Sequence, residues 1–287
     1  MQRRDTIARR TAAYVSLGQQ RYRVEHIADP ALAGISDVAT LGDKIIVLRR
    51  QSPQLIVLGP NGTSLETCVE LPQLVCGHGL RKIGCDRLAV TDMDGHKVIV
   101  IDGTLNEVTR MDCNDHPQLG RPFNHPCDCV QGPDGRFYVA DGYGNSTVHI
   151  FSANLEHLRT FGEPGSGKGA FSTPHSLLFD AKGRLCVADR ENDRVQIFDP
   201  DGNWLSQING VHRPMALALT IEGLLLVTDQ TPRLSAYDTE GNLVGRCRTF
   251  STYGHGLAQL PDETIIIADM APDRLTLLKP VAAALDI

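Results

Sequence analysis

The sequence predicts an all-β fold, a six-bladed β-propeller whose ring is closed by an N-terminal strand. Short apolar segments alternate with turns throughout the 287 residues. A characteristic strand end recurs six times at intervals of roughly 40 to 50 residues, and units of four short strands at that spacing are typical of propeller blades. The strand-end residues are Arg49, Asp92, Asp141, Asp189, Asp229 and Asp269.

The chain begins with a basic segment that contains four arginines but is followed by no apolar region, so it does not have the form of a secretory signal. We predict that residues 1–13 are a mobile tail and that residues 14–287 form a single propeller domain. The last repeat supplies three strands before the sequence ends. Residues 20–27 are therefore expected to provide the fourth, which would tie the two termini into one sheet and leave no open edge.

Each repeat is built from strands and tight turns. In the fourth repeat a strand after Pro174 reaches the turn Asp180-Ala181-Lys182-Gly183, and a second strand runs to Asp189. A third strand, 194–198, leads to the turn Asp199-Pro200-Asp201-Gly202. Pro and Gly favour turns because Pro restricts φ and Gly allows positive φ. The strand-end aspartates are expected to be structural, because their side chains can accept backbone N–H bonds in the following turn.

One position, 14 residues before each strand end and directly after a Gly or Pro, carries a histidine in alternate repeats. We call it the ring position. In a closed ring of six blades, three such side chains would approach one axis about 120° apart, which predicts a metal site. Zinc suits three imidazole ligands and keeps a fourth coordination position open for water or substrate. Cys127 is an alternative ligand for that fourth position. The ring residues are predicted as Ile35, His78, Cys127, His175, Met215 and His255, with Ile35, Cys127 and Met215 lining the throat between the ligands.

Composition excludes several partners. A net charge of −6 and the lack of a basic stripe argue against a nucleic-acid partner. A membrane-spanning segment is not expected, because no apolar segment approaches the ~20 residues that span a bilayer. The eight cysteines match no zinc-ribbon or thioredoxin spacing. We therefore expect reduced thiols, a cytoplasmic location and a small-molecule substrate.

The repeat pattern, Pro-x-x-apolar followed by Asp-Gly and Val-Ala-Asp, resembles the NHL repeat. Within that group, Pro174-His175-Ser176-Leu177 and the segments 139–146 and 185–192 resemble peptidyl-α-hydroxyglycine α-amidating lyase. The resemblance runs from about residue 35 to 278 and is most specific over 125–205.

The resemblance implies one zinc per chain, bound by His78, His175 and His255, with Tyr143 as the catalytic base. It also implies an active-site arginine at Arg50 rather than at the adjacent Arg49. The implied reaction is cleavage of the C–N bond of an α-hydroxyglycine-type carbinolamide to an amide and glyoxylate or a related aldehyde.

Several residues depart from the family pattern. Gly144 stands where the family has a cysteine, and Ile197 stands opposite Cys186 where it has the second member of a cysteine pair. Gly256 replaces an aspartate that serves as a calcium ligand, so structural calcium is not expected. We expect no attached monooxygenase domain that would supply a hydroxylated peptide. A small N-acyl or ureido α-hydroxy acid, or another hemiaminal, is therefore the expected substrate.

Two other classes of function remain open. One is a different zinc-dependent lyase or hydrolase reaction on a small molecule at the same three-histidine site. The other is a non-catalytic NHL interaction scaffold, which would have no need for histidine at one phase in alternate repeats. A propeller lactonase is disfavoured because such sites use Glu, Asp and Asn, which the ring position lacks.

Overall fold

The computed structural model describes residues 13–62, 64–112, 117 and 119–282. Six antiparallel sheets surround one axis and confirm the six-bladed propeller. The predicted tail, residues 1–13, lies outside the described residues except for Ala13, where the first strand begins. The helical content of the described chain is limited to three 3₁₀ turns, Pro30–Leu32, Pro60–Gly62 and Arg190–Asn192.

The strands are numbered in chain order. Two N-terminal strands, β1 (Ala13–Leu17) and β2 (Gln20–Ile27), precede blade one, which is formed by β3 (Ile35–Leu41), β4 (Lys44–Arg49), β5 (Gln54–Leu58) and β6 (Leu65–Glu70). Blade two is formed by β7 (Gly77–Ile83), β8 (Arg87–Asp92), β9 (Lys97–Ile101) and β10 (Glu107–Asp112). Blade three is formed by β11 (Asp128–Gln131), β12 (Phe137–Asp141), β13 (Thr147–Phe151) and β14 (His157–Phe161). Blade four is formed by β15 (Pro174–Phe179), β16 (Leu185–Asp189), β17 (Arg194–Phe198) and β18 (Trp204–Ile208). Blade five is formed by β19 (Pro214–Leu219), β20 (Leu225–Asp229), β21 (Arg233–Tyr237) and β22 (Leu243–Arg248). Blade six contains β23 (Gly254–Gln259), β24 (Ile265–Met270) and β25 (Asp273–Val281).

The ring closes as the sequence predicts. Strand β2 pairs antiparallel with β25 from Arg21 opposite Val281 to Ile27 opposite Leu275, and so becomes the fourth strand of blade six. Strand β1 then folds back on β2 as a fifth strand, which the sequence analysis did not anticipate. This pairing joins the N-terminal segment to the last blade along the full length of β2.

Apolar side chains fill the space between neighbouring blades. Ile35 and Ile45 of blade one, for example, pack in one buried cluster with Ile266 and Leu275 of blade six. Five further clusters of the same kind occur among the described residues. Because each fully buried aliphatic side chain contributes roughly 1.5–3 kcal/mol, these layers supply most of the driving force for closing the ring.

The innermost strand of five blades contains a β-bulge at which one residue has no partner on the next strand. In blade four, for example, the pairing passes from Pro174 to Ser176 and leaves out His175. A bulge turns the extra residue out of the regular alternation, and here it turns that residue toward the axis. The bulged residues are Ser36, His78, His175, Met215 and His255.

The expected ring residue of blade one was wrong by one position. Ile35 pairs with Arg49 and is fully buried in the apolar core, whereas Ser36 occupies the bulge. The hairpin between the bulge and the strand end is one residue shorter in blade one than in the other blades, so counting back 14 residues overshoots. The ring position of blade one is therefore Ser36.

The strand-end aspartates accept backbone N–H bonds, as the sequence predicts, but most of the donors lie in the loop before the ring position rather than in the turn after the strand end. Asp92 accepts bonds from the backbone N–H groups of Val75, Cys76 and Gly95. The carboxylates of three further blades bind the loop that precedes their own ring position in the same way. Asp141 accepts the backbone N–H of Asn124, Asp189 accepts that of Ser172, and Asp229 accepts that of His212.

A buried guanidinium crosses the propeller axis next to the ring position. Arg81 of β7 contacts Asp128 through Nε at 3.0 Å and Nη2 at 2.9 Å. The same side chain donates to the Ser176 hydroxyl and to the Leu217 carbonyl oxygen, so it joins blade two to blades three, four and five. On the opposite side, the buried Asp37 accepts the N–H of Leu80 at 2.8 Å, which ties blade one to blade two.

The described cysteines are all unpaired thiols. Cys186 faces Ile197 directly across β16 and β17, so the cysteine that the family places there has an aliphatic replacement at a paired position. No helix within the described ranges is long and apolar enough to cross a membrane.

We expect Arg81→Met to destabilise the protein by about 3–5 kcal/mol, because removing one partner leaves the buried Asp128 carboxylate uncompensated. Lys182→Met is the matched control, since Lys182 pairs with Glu240 on the exposed surface, where an ion pair contributes about 0–1 kcal/mol. Urea unfolding of both variants measures the difference. Equal midpoints for the two variants would contradict a stabilising role for the axial guanidinium.

We expect the free energy of unfolding of the wild type, relative to that of Asp37→Asn, to fall as pH rises. Burial raises the pKa of Asp37 to about 7, although the charge of Arg81 acts in the opposite direction. Because this folded-state pKa lies above the unfolded value, the contribution of the carboxyl is fully present below about pH 4 and is lost as pH rises through about 7. Denaturant titrations of both proteins at pH 5 and pH 8 test this. An unchanged difference between them would show that Asp37 does not titrate in this range.

Candidate metal centre

Three histidines converge where the inner strands of blades two, four and six meet the axis. His78, His175 and His255 are all buried, and one nitrogen of each lies within 4.8 Å of the others. Their ring centroids are 4.7–5.0 Å apart. The bulge explains why the sequence folds this way, because it presents one residue per blade to the same point.

The next blade fixes the orientation of each imidazole. The Nδ1 atom lies 2.8 Å from the Cys127 carbonyl oxygen in His78, 2.7 Å from that of Met215 in His175, and 2.9 Å from that of Ser36 in His255. A carbonyl oxygen can only accept, so each Nδ1 carries the proton and each Nε2 presents a lone pair. All three acceptors are ring residues, which supports Ser36 as the ring residue of blade one.

The three imidazoles are held neutral. Burial is the largest cause that lowers the pKa of His78, His175 and His255, and the Arg50 guanidinium lowers each of them further. The pKa of His255 falls to about 3. The buried Nε2 atoms of His175 and His255 have no hydrogen-bond partner among the described residues. Neutral imidazoles whose Nε2 atoms converge are a donor set that can hold a metal ion, although the Nε2 of His78 is bound to the Tyr143 hydroxyl here.

Cys127 occupies the ring position of blade three but is directed elsewhere. Its thiol donates to the Pro174 carbonyl oxygen at 3.1 Å, and burial raises the pKa of the thiol. It does not belong to the convergent donor set. Met215, the ring residue of blade five, has its sulfur 3.4 Å from Nε2 of Gln230.

Tyr143 lies beside the histidines, on the loop after β12. Its hydroxyl is 3.1 Å from Nε2 of His78 and 3.1 Å from Nη1 of Arg190. Burial raises the pKa of the phenol above its usual value, and the guanidinium groups of Arg190 and Arg50 offset only part of that rise. Gly142 is required just before it, because a Cβ there would lie 2.2 Å from the Pro174 carbonyl oxygen. The close passage of this loop over blade four brings the phenol to the axis.

The two candidate arginines of blade one have different surroundings. Arg49 bonds the Ser52 carbonyl oxygen through Nε and Nη2. Arg50 is half-buried, and its Nη2 lies 3.6 Å from the sulfur of Met93. Within the described part of the chain Arg50 forms no ion pair with a carboxylate, so its charge is available to an anion.

Arg190 is a site residue that the sequence analysis missed. It follows the strand end of blade four, as Arg50 follows that of blade one, and these two blades lie on opposite sides of the ring. Its guanidinium lies 5.2 Å from the Tyr143 ring centroid, and its Nε donates to Glu191 at 2.9 Å. The sequence analysis considered the position after the strand end in blade one, and the same position in blade four is Arg190.

Fold and site together define a six-bladed propeller with a buried three-histidine cluster on its axis and a tyrosine and two arginines around that cluster. The NHL repeat model matches residues 171–198, which run through β15, β16 and β17 of blade four and include His175 and Arg190.

Among curated proteins, the chain is 34% identical over 153 residues to NHL repeat-containing protein 3 from Homo sapiens, which covers 50% of this chain and 42% of that protein. It is 33% identical over 156 residues to the peptidylglycine alpha-amidating monooxygenase of Rattus norvegicus, covering 51% of this chain and 16% of that protein. It is also 28% identical over 218 residues to the probable peptidyl-alpha-hydroxyglycine alpha-amidating lyase pgal-1 of Caenorhabditis elegans, covering 69% and 62%. The matched segments therefore span less than two thirds of the length of each relative.

Among solved structures, a streptogramin B lyase superposes with a TM-score of 0.67, covering 93% of this chain and 98% of that chain. Its sequence identity is 11%, so the likeness shows the propeller fold alone. The curated matches show homology to the amidating lyase and the amidating monooxygenase. Together with the three-histidine cluster, that homology supports a lyase-like propeller.

Proposed function

We propose that this protein is a zinc-dependent lyase that cleaves the C–N bond of an α-hydroxyglycine-type carbinolamide. The substrate would be an N-acyl or ureido α-hydroxy acid, and the products an amide and glyoxylate or a related aldehyde. One observation carries the proposal: three buried imidazole nitrogens converge on one point, two of them without a partner among the described residues and the third bound to the Tyr143 hydroxyl, with two guanidinium groups nearby.

The donor set fits zinc. Each Nδ1 proton is bound to a backbone carbonyl, so each Nε2 lone pair is directed to the shared centre. Three imidazoles leave one coordination position for water or substrate. When bound, zinc supplies Lewis acidity that makes a substrate hydroxyl easier to deprotonate.

Tyr143 is the proposed base. In the metal-free protein its phenol donates to Nε2 of His78, since the only proton of that imidazole is on Nδ1. Arg190 donates to the same oxygen and favours the phenolate, because a nearby positive charge stabilises the ionised form. The phenolate oxygen would take the proton of the substrate hydroxyl. The same proton would then pass to the departing amide nitrogen, so that cleavage needs no net proton.

Arg50 is the proposed partner of the substrate carboxylate. It is half-buried, and its guanidinium contacts the Met93 thioether and the Cys76 thiol, which are both weak acceptors. A guanidinium can bind a carboxylate through two parallel hydrogen bonds. An α-hydroxy acid held in this way would keep its hydroxyl near the histidines and Tyr143.

We expect about one zinc per chain in protein purified without added metal, with glyoxylate released from N-acetyl-α-hydroxyglycine. His175→Ala should lose both, because two imidazoles seldom retain zinc. His157→Ala is the control, since His157 lies on the outer strand of blade three and is exposed. Elemental analysis and a glyoxylate assay measure the two properties.

The outcomes separate the alternatives. Zinc without glyoxylate release would favour a different zinc-dependent reaction at the same site. A wild type that binds no metal even when zinc is offered would leave a non-catalytic NHL scaffold.

We expect Tyr143→Phe to lower kcat by a factor on the order of 10²–10⁴, the range typical of a general base, while zinc content stays unchanged. Tyr253→Phe provides the matched control, because Tyr253 is a second exposed tyrosine and lies in the loop before β23. Steady-state kinetics and metal analysis are run on the same preparations. Full activity in Tyr143→Phe would remove this residue from the mechanism.

A further inference from the structure

Gln230 occupies the position after the strand end in blade five, the same repeat position as Arg50 and Arg190. It is half-buried and lies over Met215, with its Nε2 3.4 Å from the Met215 sulfur. Met215 is the ring residue between the blades that carry His175 and His255. The carboxamide of Gln230 therefore lies against the ring residue of the blade between those that carry His175 and His255.

The orientation of that carboxamide is fixed from the rim. Arg213 donates from Nη1 to Oε1 of Gln230 at 3.2 Å. A guanidinium has only donors, so the oxygen of the amide must face Arg213 and the NH₂ group must face the other way, toward Met215. A thioether accepts hydrogen bonds weakly, and the NH₂ group retains most of its capacity to donate.

The same rim arginine also holds the proposed base in place. Arg213 contacts Glu191 through Nε at 2.9 Å, and Glu191 in turn binds Arg190, the donor to Tyr143. The backbone of Arg213 is anchored by a 2.8 Å bond to Asp193. Gln230 and Tyr143 are thus oriented by one connected set of charged groups on blades four and five.

We propose that Gln230 donates a hydrogen bond to the oxygen of the carbonyl group that is bonded to the departing nitrogen. In this way Gln230 would select N-acyl and N-carbamoyl substrates over simple carbinolamines. This inference rests on the lyase function proposed above and specifies its substrate class. During the reaction the hydroxyl proton passes to Tyr143 and the oxygen lone pair forms the aldehyde C=O. The C–N electron pair moves onto the amide nitrogen and its carbonyl oxygen, and the nitrogen takes up the proton.

A donor at that carbonyl oxygen acts where charge develops. As the C–N bond breaks, negative charge spreads from the nitrogen to the oxygen, and a positioned hydrogen-bond donor stabilises that charge more in the transition state than in the substrate. An amide leaving group can be stabilised in this way because its oxygen shares the charge, whereas a simple amine has no such oxygen.

The test pairs a variant with a change in the substrate. N-acetyl-α-hydroxyglycine is compared with its thioacetyl counterpart, whose sulfur is a poor hydrogen-bond acceptor. Gln230→Leu should lower kcat/KM for the oxygen substrate about tenfold or more, consistent with the loss of one hydrogen bond to a developing charge. For the sulfur substrate the same variant should change kcat/KM by less than about twofold, since that bond is weak in the wild type.

Two further variants control the test. Gln230→Glu keeps an oxygen for Arg213 and the shape of the side chain but loses the donor, so it should reproduce the selective loss without unfolding the loop. Gln131→Leu, at the far end of the inner strand of blade three, should behave as the wild type on both substrates. Zinc content is measured in every variant and should not change.

The results distinguish two failures. If the wild type releases no glyoxylate from either substrate, the proposed lyase function is wrong and this inference falls with it. If the wild type is active but Gln230→Leu and Gln230→Glu lose equal factors on both substrates, or lose nothing, the lyase function stands and Gln230 does not recognise the carbonyl oxygen.

Discussion

The site depends on one hydrogen-bond pattern, in which a residue at the inner-strand bulge of one blade binds the backbone of the next. His78, His175 and His255 each donate Nδ1–H to the ring residue of the following blade. These bonds connect neighbouring blades and also decide which imidazole nitrogen faces the axis. Closure of the ring and readiness of the three nitrogens for a metal are therefore consequences of the same contacts, and a shift of one blade relative to the next would disturb both.

The repeat made most of the fold accessible from the sequence, because strand ends and turns recur with the spacing of blades. Its limit appears in blade one. The apolar residues Ile35 and Ile45 to Leu48 identify two strands but contain no marker for the bulge, so the count placed Ile35 on the axis. Only the pairing register shows that the hairpin is one residue shorter and that Ser36 takes this place. Strand β1 was missed for a related reason, since its edge position imposes little pattern on a five-residue segment.

The candidate site was predictable where it follows the repeat and unpredictable where it depends on loops. The three histidines share one phase, and their convergence follows from it. Arg190 and Arg50 share a second repeat position, the residue directly after the strand end. The sequence analysis considered that position in blade one only. The Arg213–Glu191–Arg190 chain could not be predicted, because it joins loops of two blades whose approach is set by blade packing and by the positive φ of 47° at Arg213.

The guanidinium of Arg81 gives the centre of this ring a cation that is covalently part of the chain. An ion held only by ligands exchanges with solvent, and its occupancy follows its free concentration, whereas this charge is present once in every folded molecule. Neither a chelator nor dilution can therefore remove the cation from the ion pair of Arg81 and Asp128. The metal proposed for the adjacent histidines would therefore load onto a scaffold whose central ion pair is already in place.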